Sequence, residues 1–150
     1  MYSFKTADEA TYLEMMKVWE EGVSQLSGVP GILSQFLIQP QPVTNGTNSL
    51  GLTPGDRLSV LGLVTMGWDN AADDNTVQKG VQAIVDQHID ILRKKKLYEP
   101  FLYLNYADNS QDPFASYGKE NKARLQAVSR KYDPNGVFQK VVPGGFKLFK

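Results

Sequence analysis

The sequence predicts an α+β protein: a βαββαβ antiparallel sheet with its helices on one face, followed by a C-terminal helix and tail. Three observations predict it. Strand-like and helix-like segments alternate in that order up to residue 106. Two of the helical segments carry an apolar stripe at spacings of three and four. The strand-like segments alternate in side-chain character, so the sheet has two unlike faces. This is the ferredoxin-like arrangement. A chain of 150 residues fits one domain, with the sheet and its helices in residues 1–106 and the remainder in 107–150.

Tyr2 to Lys5 reads as the first strand. Thr6 and Glu9 have capping-box spacing, and Tyr12, Met15, Met16, Trp19, Val23 and Leu26 then trace one helix face until Gly28 and Pro30 stop it. Ile32 to Gln39 reads as the second strand, and Gln41 to Asp56, rich in Pro, Asn, Gly and Thr, as a loop. Arg57 to Trp68 is a third strand, dense in branched apolar residues. The acidic stretch Asp69 to Asn75 suits the positive end of a helix from about Thr76 to Arg93. Val77, Val81, Ile84, Val85, His88 and Leu92 share one side of it.

Phe101 to Tyr106 reads as the fourth strand, Ala107 to Ser116 as loop, and Tyr117 to Tyr132 as a third helix with Asn121, Leu125, Val128 and Tyr132 in register. Asp133-Pro134-Asn135-Gly136 is a turn, because proline presets φ and glycine accepts positive φ. The tail reads as irregular.

Strand parity sorts the sheet faces. Leu58, Val60, Val64, Met66 and Trp68 form the more apolar row and belong under the helices, opposite Ser59, Leu61, Leu63 and Thr65. Gln35, Leu37 and Gln39 join the second row from the neighbouring strand. Tyr103 and Asn105 join it from Phe101–Tyr106. An apolar surface set with a few amides, a threonine and a phenol is how small-molecule sites are lined. It also exposes more apolar area than a monomer usually shows. The expectation is a small-molecule substrate on this face and a homodimer packed through it. Tyr103 and Asn105 are the catalytic pair, and Gln35, Leu37, Gln39, Leu61, Leu63 and Thr65 are the substrate-binding set.

Composition removes many chemistries. There is no Cys, so disulfides, thiolate nucleophiles and iron–sulfur clusters are excluded. The single His88 rules out a multi-histidine metal site within one chain, and its apolar neighbours make it a core histidine. Sixteen basic residues balance sixteen acidic ones, which argues against nucleic-acid and polybasic membrane-surface binding. No apolar run reaches the ~20 residues of a membrane span. Met1 to Thr6 does not resemble a signal peptide, so a cytoplasmic protein is expected and the sequon Asn45-Gly46-Thr47 is expected to go unused. Asp69, Asp73 and Asp74 lack calcium-loop spacing and read as helix-start residues. Lys94 to Lys96 reads as a solvated helix end, Gly144-Gly145 as a turn, and Trp19 and Trp68 as core.

The segments YLNYAD (Tyr103 to Asp108), SYGKEN (Ser116 to Asn121), RLQAVSRKYDPNGVFQ (Arg124 to Gln139) and VPGGFKLF (Val142 to Phe149) resemble the C-terminal end of berberine-bridge-enzyme-like flavoproteins. The upstream residues are similar, more loosely, to the second half of that family's substrate domain. The resemblance implies FAD-linked oxidoreductase ancestry of the fungal secondary-metabolism type. It places Asn105 near a flavin and Tyr103 toward substrate, and makes Asn105 and Tyr117 flavin contacts if a flavin is bound. It puts Thr65 where some members carry a base, a role threonine fills poorly. The family's flavin-binding domain has no counterpart here, so no cofactor is expected on the isolated chain, and FAD only if a flavin domain is supplied in trans.

Three functions follow as expectations. The leading one is a free-standing protein that binds a secondary-metabolite intermediate on the sheet face and steers a non-redox cyclisation or isomerisation, a task of shape and a few hydrogen bonds. Met1 immediately before a strand that completes the βαββαβ unit favours it. The second is the substrate-domain part of an FAD-dependent oxidoreductase completed by a separate flavin domain. The third is a non-catalytic binding or assembly module.

Overall fold

A computed structural model describes residues 1–46, 48–52, 54–55 and 59–149. The expectations for Thr47, Arg57 and Leu58 lie outside the described residues. The chain divides into two compact units. One comprises Met1–Gln41 with Leu58–Glu99, the other Pro42–Arg57 with Pro100–Lys150.

The first unit holds the sheet. Its elements are β1 (Tyr2–Lys5), α1 (Glu9–Gln25), β2 (Leu33–Pro40), β3 (Ser59–Gly67), α2 (Asp74–Lys94) and β4 (Tyr98–Glu99). The strand order is β2-β3-β1-β4 with every pairing antiparallel, the predicted α+β arrangement. The parity prediction for β3 is borne out. Tyr2, Phe4, Val60 and Val64 pack with Met15 of α1 and with Ile84, Val85, Ile91 and Leu92 of α2. Gly62 lies opposite Tyr2, where a Cβ would stand 2.4 Å from the tyrosine ring, so only glycine leaves room for it. Gly22 and Gly80 let the helices close on each other in the same way, against Ile84 and Leu26.

Three expectations need correction in this unit. The α1 N-cap is Asp8, whose carboxylate accepts the Thr11 N–H at 2.9 Å, not Thr6. Helix α2 starts at Asp74, ahead of the expected start, because a 3-10 turn at Ala71–Asp73 leads into it. The fourth strand is Tyr98–Glu99, not Phe101–Tyr106. The register explains the last. Ser3 pairs with Glu99 and Phe4 with Tyr98, and the next residue is Pro100. Proline has no N–H to give a ladder.

In the second unit, residues Leu104–Tyr106 form a 3-10 turn, followed by α3 (Pro113–Ser116), α4 (Lys119–Tyr132) and α5 (Val137–Lys140). The loop expected over Ala107–Ser116 thus contains a short helix, the third expected helix begins two residues later than Tyr117, and the tail gains α5. The interior is aromatic. Tyr117 stacks on Phe101 at 5.8 Å between ring centroids and meets Phe114 edge-on at 5.9 Å. The Asp133–Gly136 turn forms as expected. The Asp133 carboxylate accepts the N–H groups of Val137 and Phe138 at 2.8 and 3.0 Å, and Gly136 takes φ of 67°. Leu148 is fixed by two glutamines: its carbonyl accepts from Gln126 at 2.7 Å and its N–H donates to Gln139 at 2.9 Å.

Candidate functional site

The first unit brings six of the predicted residues into one array. Gln35 pairs with Thr65, Leu37 with Leu63 and Gln39 with Leu61 across β2 and β3. All six lie on the face turned away from α1 and α2, since Phe36 and Val64 between them pack on the helices. Exposure grades across the array. Leu61 is buried, Leu63 and Thr65 are half-buried, and Gln35, Leu37 and Gln39 are exposed. Ser3, opposite Leu61 on β1, extends the same row. It is fully buried and its Oγ has no hydrogen-bond partner. Sequence reading passed over Ser3, although its place between Tyr2 and Phe4 carries the parity signal.

The predicted catalytic pair lies in the second unit, on the 3-10 turn rather than on a strand. Tyr103 precedes the turn with φ −74° and ψ 116°, and the Tyr106 N–H closes it onto the Tyr103 carbonyl at 3.0 Å. The Asn105 Nδ2 group donates to the Tyr103 hydroxyl oxygen at 2.8 Å, and the Tyr106 ring meets the Tyr103 ring edge-on at 5.1 Å. Because the phenol oxygen accepts from Asn105, its own O–H stays available to donate. The amide oxygen of Asn105 can accept. The pair is a neutral donor and acceptor on an exposed turn, suited to orienting an oxygen-bearing ligand. Ser116 anchors the stretch, accepting the Leu102 N–H at 3.0 Å and donating to the Pro113 carbonyl at 2.6 Å.

Tyr117 is buried in the same unit. Burial pushes its hydroxyl above the ordinary tyrosine range, and the neighbouring Tyr103 phenol adds to the rise, against a hydrogen bond to the Leu104 backbone. Its carbonyl accepts from Asn121 at 3.0 Å. A Cβ at Gly51 would stand 2.5 Å from that carbonyl, so the close approach there requires a glycine, which takes φ of 76°.

His88 is the core histidine the sequence predicts. Its Nε2 lies 2.8 Å from the Met15 carbonyl and its Nδ1 lies 2.7 Å from the Tyr2 hydroxyl. A carbonyl can only accept, so Nε2 carries the proton and Nδ1 accepts from Tyr2. Burial holds the imidazole below the ordinary histidine range, partly offset by the Met15 carbonyl. Burial likewise pushes the Tyr2 hydroxyl far above the ordinary tyrosine range. Trp19 and Trp68 are half-buried and donate to Ser34 Oγ at 2.9 Å and to Asp74 at 2.8 Å.

The helix starts of this chain are acidic, which disfavours a dinucleotide's pyrophosphate at them, since a helix N-terminus is a common site for such an anion. Asp8, Asp112 and Asp133 accept first-turn N–H groups at α1, α3 and α5, and Asp74 and Glu120 lie in the first turns of α2 and α4 without a side-chain cap bond. Asp112 accepts the Ala115 N–H at 3.0 Å, which holds its carboxyl below the usual range. Tyr117 is committed to packing. No group of three or more potential metal-ligating side chains occurs among the described residues. No described helix is long and apolar enough to cross a membrane.

The family "Berberine and berberine like" matches residues 102–140, the stretch that includes Tyr103, Asn105 and Tyr117. An FAD-dependent monooxygenase of Cochliobolus heterostrophus is 42% identical over 116 residues, covering 77% of this chain and 22% of the relative. A bifunctional solanapyrone synthase of Alternaria solani is 31% identical over 150 residues, 94% of this chain and 28% of the relative. An FAD-dependent monooxygenase of Cercospora nicotianae is 33% identical over 150 residues, 95% of this chain and 33% of the relative. The chain thus spans between about a fifth and a third of the length of these relatives. No solved structure matches it. The matched segment and the fungal enzymes aligned along most of the chain show its similarity to berberine-bridge-enzyme-like proteins.

Proposed function

We propose that this chain is the substrate side of an FAD-dependent oxidoreductase whose flavin is held by polypeptide outside these 150 residues. One observation carries the reading. Relatives named as FAD-dependent monooxygenases align with most of this chain, yet it spans at most about a third of them. In this reading the Tyr103–Asn105 pair directs one oxygen of a small secondary metabolite, and the Leu37–Leu63 and Gln35–Thr65 pairs of the sheet unit are a candidate apolar surface in their own right. The hydrogen bond within that pair favours a second reading, a cofactor-free cyclisation or isomerisation that needs orientation and charge stabilisation without redox.

The test is an absorption spectrum of the purified chain from 300 to 600 nm, repeated after incubation with excess FAD and desalting. The expected result is no retained flavin band. A retained band would show that the chain holds the cofactor itself and would overturn the division of labour. Conversion of a polyketide-type substrate by the flavin-free chain, lost in Tyr103→Phe and Asn105→Ala, would establish the second reading over the first.

A further inference from the structure

The two edges of the sheet are unlike. At β4 the edge is two residues long and closed by an ion pair, Lys5 to Glu99 at 3.3 Å. At β2 it is eight residues long, and its sequence from Leu33 to Gln39 (LSQFLIQ) contains no charged residue. Sheet proteins usually protect an exposed edge with lysines, inward charges, bulges or prolines. Here the only such device is Pro40, at the end of the strand.

The register fixes which backbone groups face outward. Gln41 donates to the Ser59 carbonyl at 3.0 Å and continues the β2–β3 pairing as a hydrogen-bonded pair. Residues two apart repeat that pattern, so Leu33, Gln35, Leu37 and Gln39 bond to β3. Ser34, Phe36 and Ile38 then turn their N–H and C=O groups away from the sheet, and β3 is the only strand beside β2 among the described residues. Leu33, Leu37 and Ile38 are exposed around them.

We propose that this edge is an interaction surface for a second copy of the same chain, the two β2 strands pairing antiparallel about Phe36. In that register Phe36 meets the partner's Phe36 and Ser34 meets the partner's Ile38, so all three outward residues exchange both backbone hydrogen bonds. Leu37 falls beside the partner's Gln35, and Leu33 beside the partner's Gln39. Two-fold pairing places Phe36 on its own copy and Gln35 and Leu37 one diagonal step from theirs, so any charge at the middle of the edge would be doubled there, and Leu33 to Gln39 carries none. This self-compatible register is what points to a second copy. The result is one continuous eight-stranded sheet, joined at its edge rather than across its face. The inference is independent of what the face binds.

Sedimentation velocity on the 150-residue chain tests it, alongside Ile38→Pro and Leu37→Lys. Ile38 uses its N–H outward, so proline there removes a donor from the dimer without removing one from the β2–β3 ladder. Leu37→Lys places two like charges close to the two-fold axis. Tryptophan fluorescence confirms that each variant is folded, since Trp19 and Trp68 both lie in the sheet unit. The expected result is a dimer that shifts to monomer in whichever variants keep the native emission, with at least a tenfold weaker dissociation constant. A wild-type chain that stays monomeric up to 100 μM (roughly the weak end of specific association) would overturn the proposal. A dimer that persists unchanged in a folded variant would do the same.

Discussion

The Tyr2–His88–Met15 chain of hydrogen bonds makes the sheet unit sensitive to mild acid. His88 is fully buried and neutral, with its proton on Nε2 facing Met15. Protonating it would put a second proton on Nδ1, where the Tyr2 hydroxyl now donates. No carboxylate of α1, α2 or the sheet appears among the groups perturbing it. Its folded pKa therefore lies below the unfolded value of about 6.5. Below that pH the unfolded chain binds one proton more than the folded chain, so stability is present above it and falls as pH drops. The slope cannot exceed about 1.4 kcal/mol per pH unit. Between pH 7.5 and 5.5 only the lower half of the interval counts, which gives a loss of at most about 1.4 kcal/mol.

The assay is urea unfolding at pH 7.5, 6.5 and 5.5, followed by tryptophan emission. Both tryptophans lie in the sheet unit, so the signal reports that unit. No other side chain titrates strongly in this window, because there is one His and no Cys, and carboxylates contribute only below about pH 5. The control is His88→Gln, which keeps a donor for Met15 but takes the acceptor from Tyr2. It should be less stable by about 1–3 kcal/mol at pH 7.5 and lose the dependence on pH. Stability that is flat from pH 7.5 to 5.5 in the wild type would refute the argument. An equal slope in His88→Gln would refute it as well.

Three further outcomes follow from the same structure. Gly62→Ala should destabilise the sheet unit by about 1–3 kcal/mol or more in urea unfolding, because the new methyl group meets the buried Tyr2 ring at 2.4 Å. Lys96→Gly should raise stability by about 1 kcal/mol in the same experiment. Lys96 follows α2 with φ of 59°, the one positive φ at a non-glycine among the described residues, and Leu97 donates to the Leu92 carbonyl at 2.8 Å as a helix C-terminal motif requires. Asp133→Ala should cost about 1 kcal/mol, seen as faster amide exchange at Val137 and Phe138, whose N–H groups the carboxylate accepts.

What the sequence made legible followed periodicity. The α+β class, both long helices, the face of β3 and the six-residue array on β2 and β3 all rest on apolar spacing that the local chain determines. Val60 and Val64 beneath the helices are opposed by Leu61, Leu63 and Thr65, and no other register satisfies both rows. The misread element is Phe101–Tyr106. FLYLNY alternates as a strand should, but alternation says nothing about whether a partner strand is available. That depends on the register of Tyr98 and Glu99 against β1 and on the proline that follows them. The helix caps failed for a related reason. Thr6 and Asp8 are both good caps, and the choice between them turns on where the chain leaves β1.

That misreading changes what the pair Tyr103 and Asn105 can be. On a strand, with side chains on one face, they would have been two separate contacts in a pocket wall. On a 3-10 turn they bond to each other and present a donor and an acceptor within one residue step of the Tyr106 ring. A turn held by the Ser116 hydroxyl and by the Tyr103–Tyr106 backbone bond can fix that pair without any ligand present, which is the preorganisation an orienting contact needs. A ligand of this turn must carry an oxygen function able to accept from the Tyr103 hydroxyl or donate to the Asn105 amide oxygen, and Tyr103→Phe should then raise KM or lower kcat for such a substrate without moving the tryptophan-detected unfolding of the sheet unit.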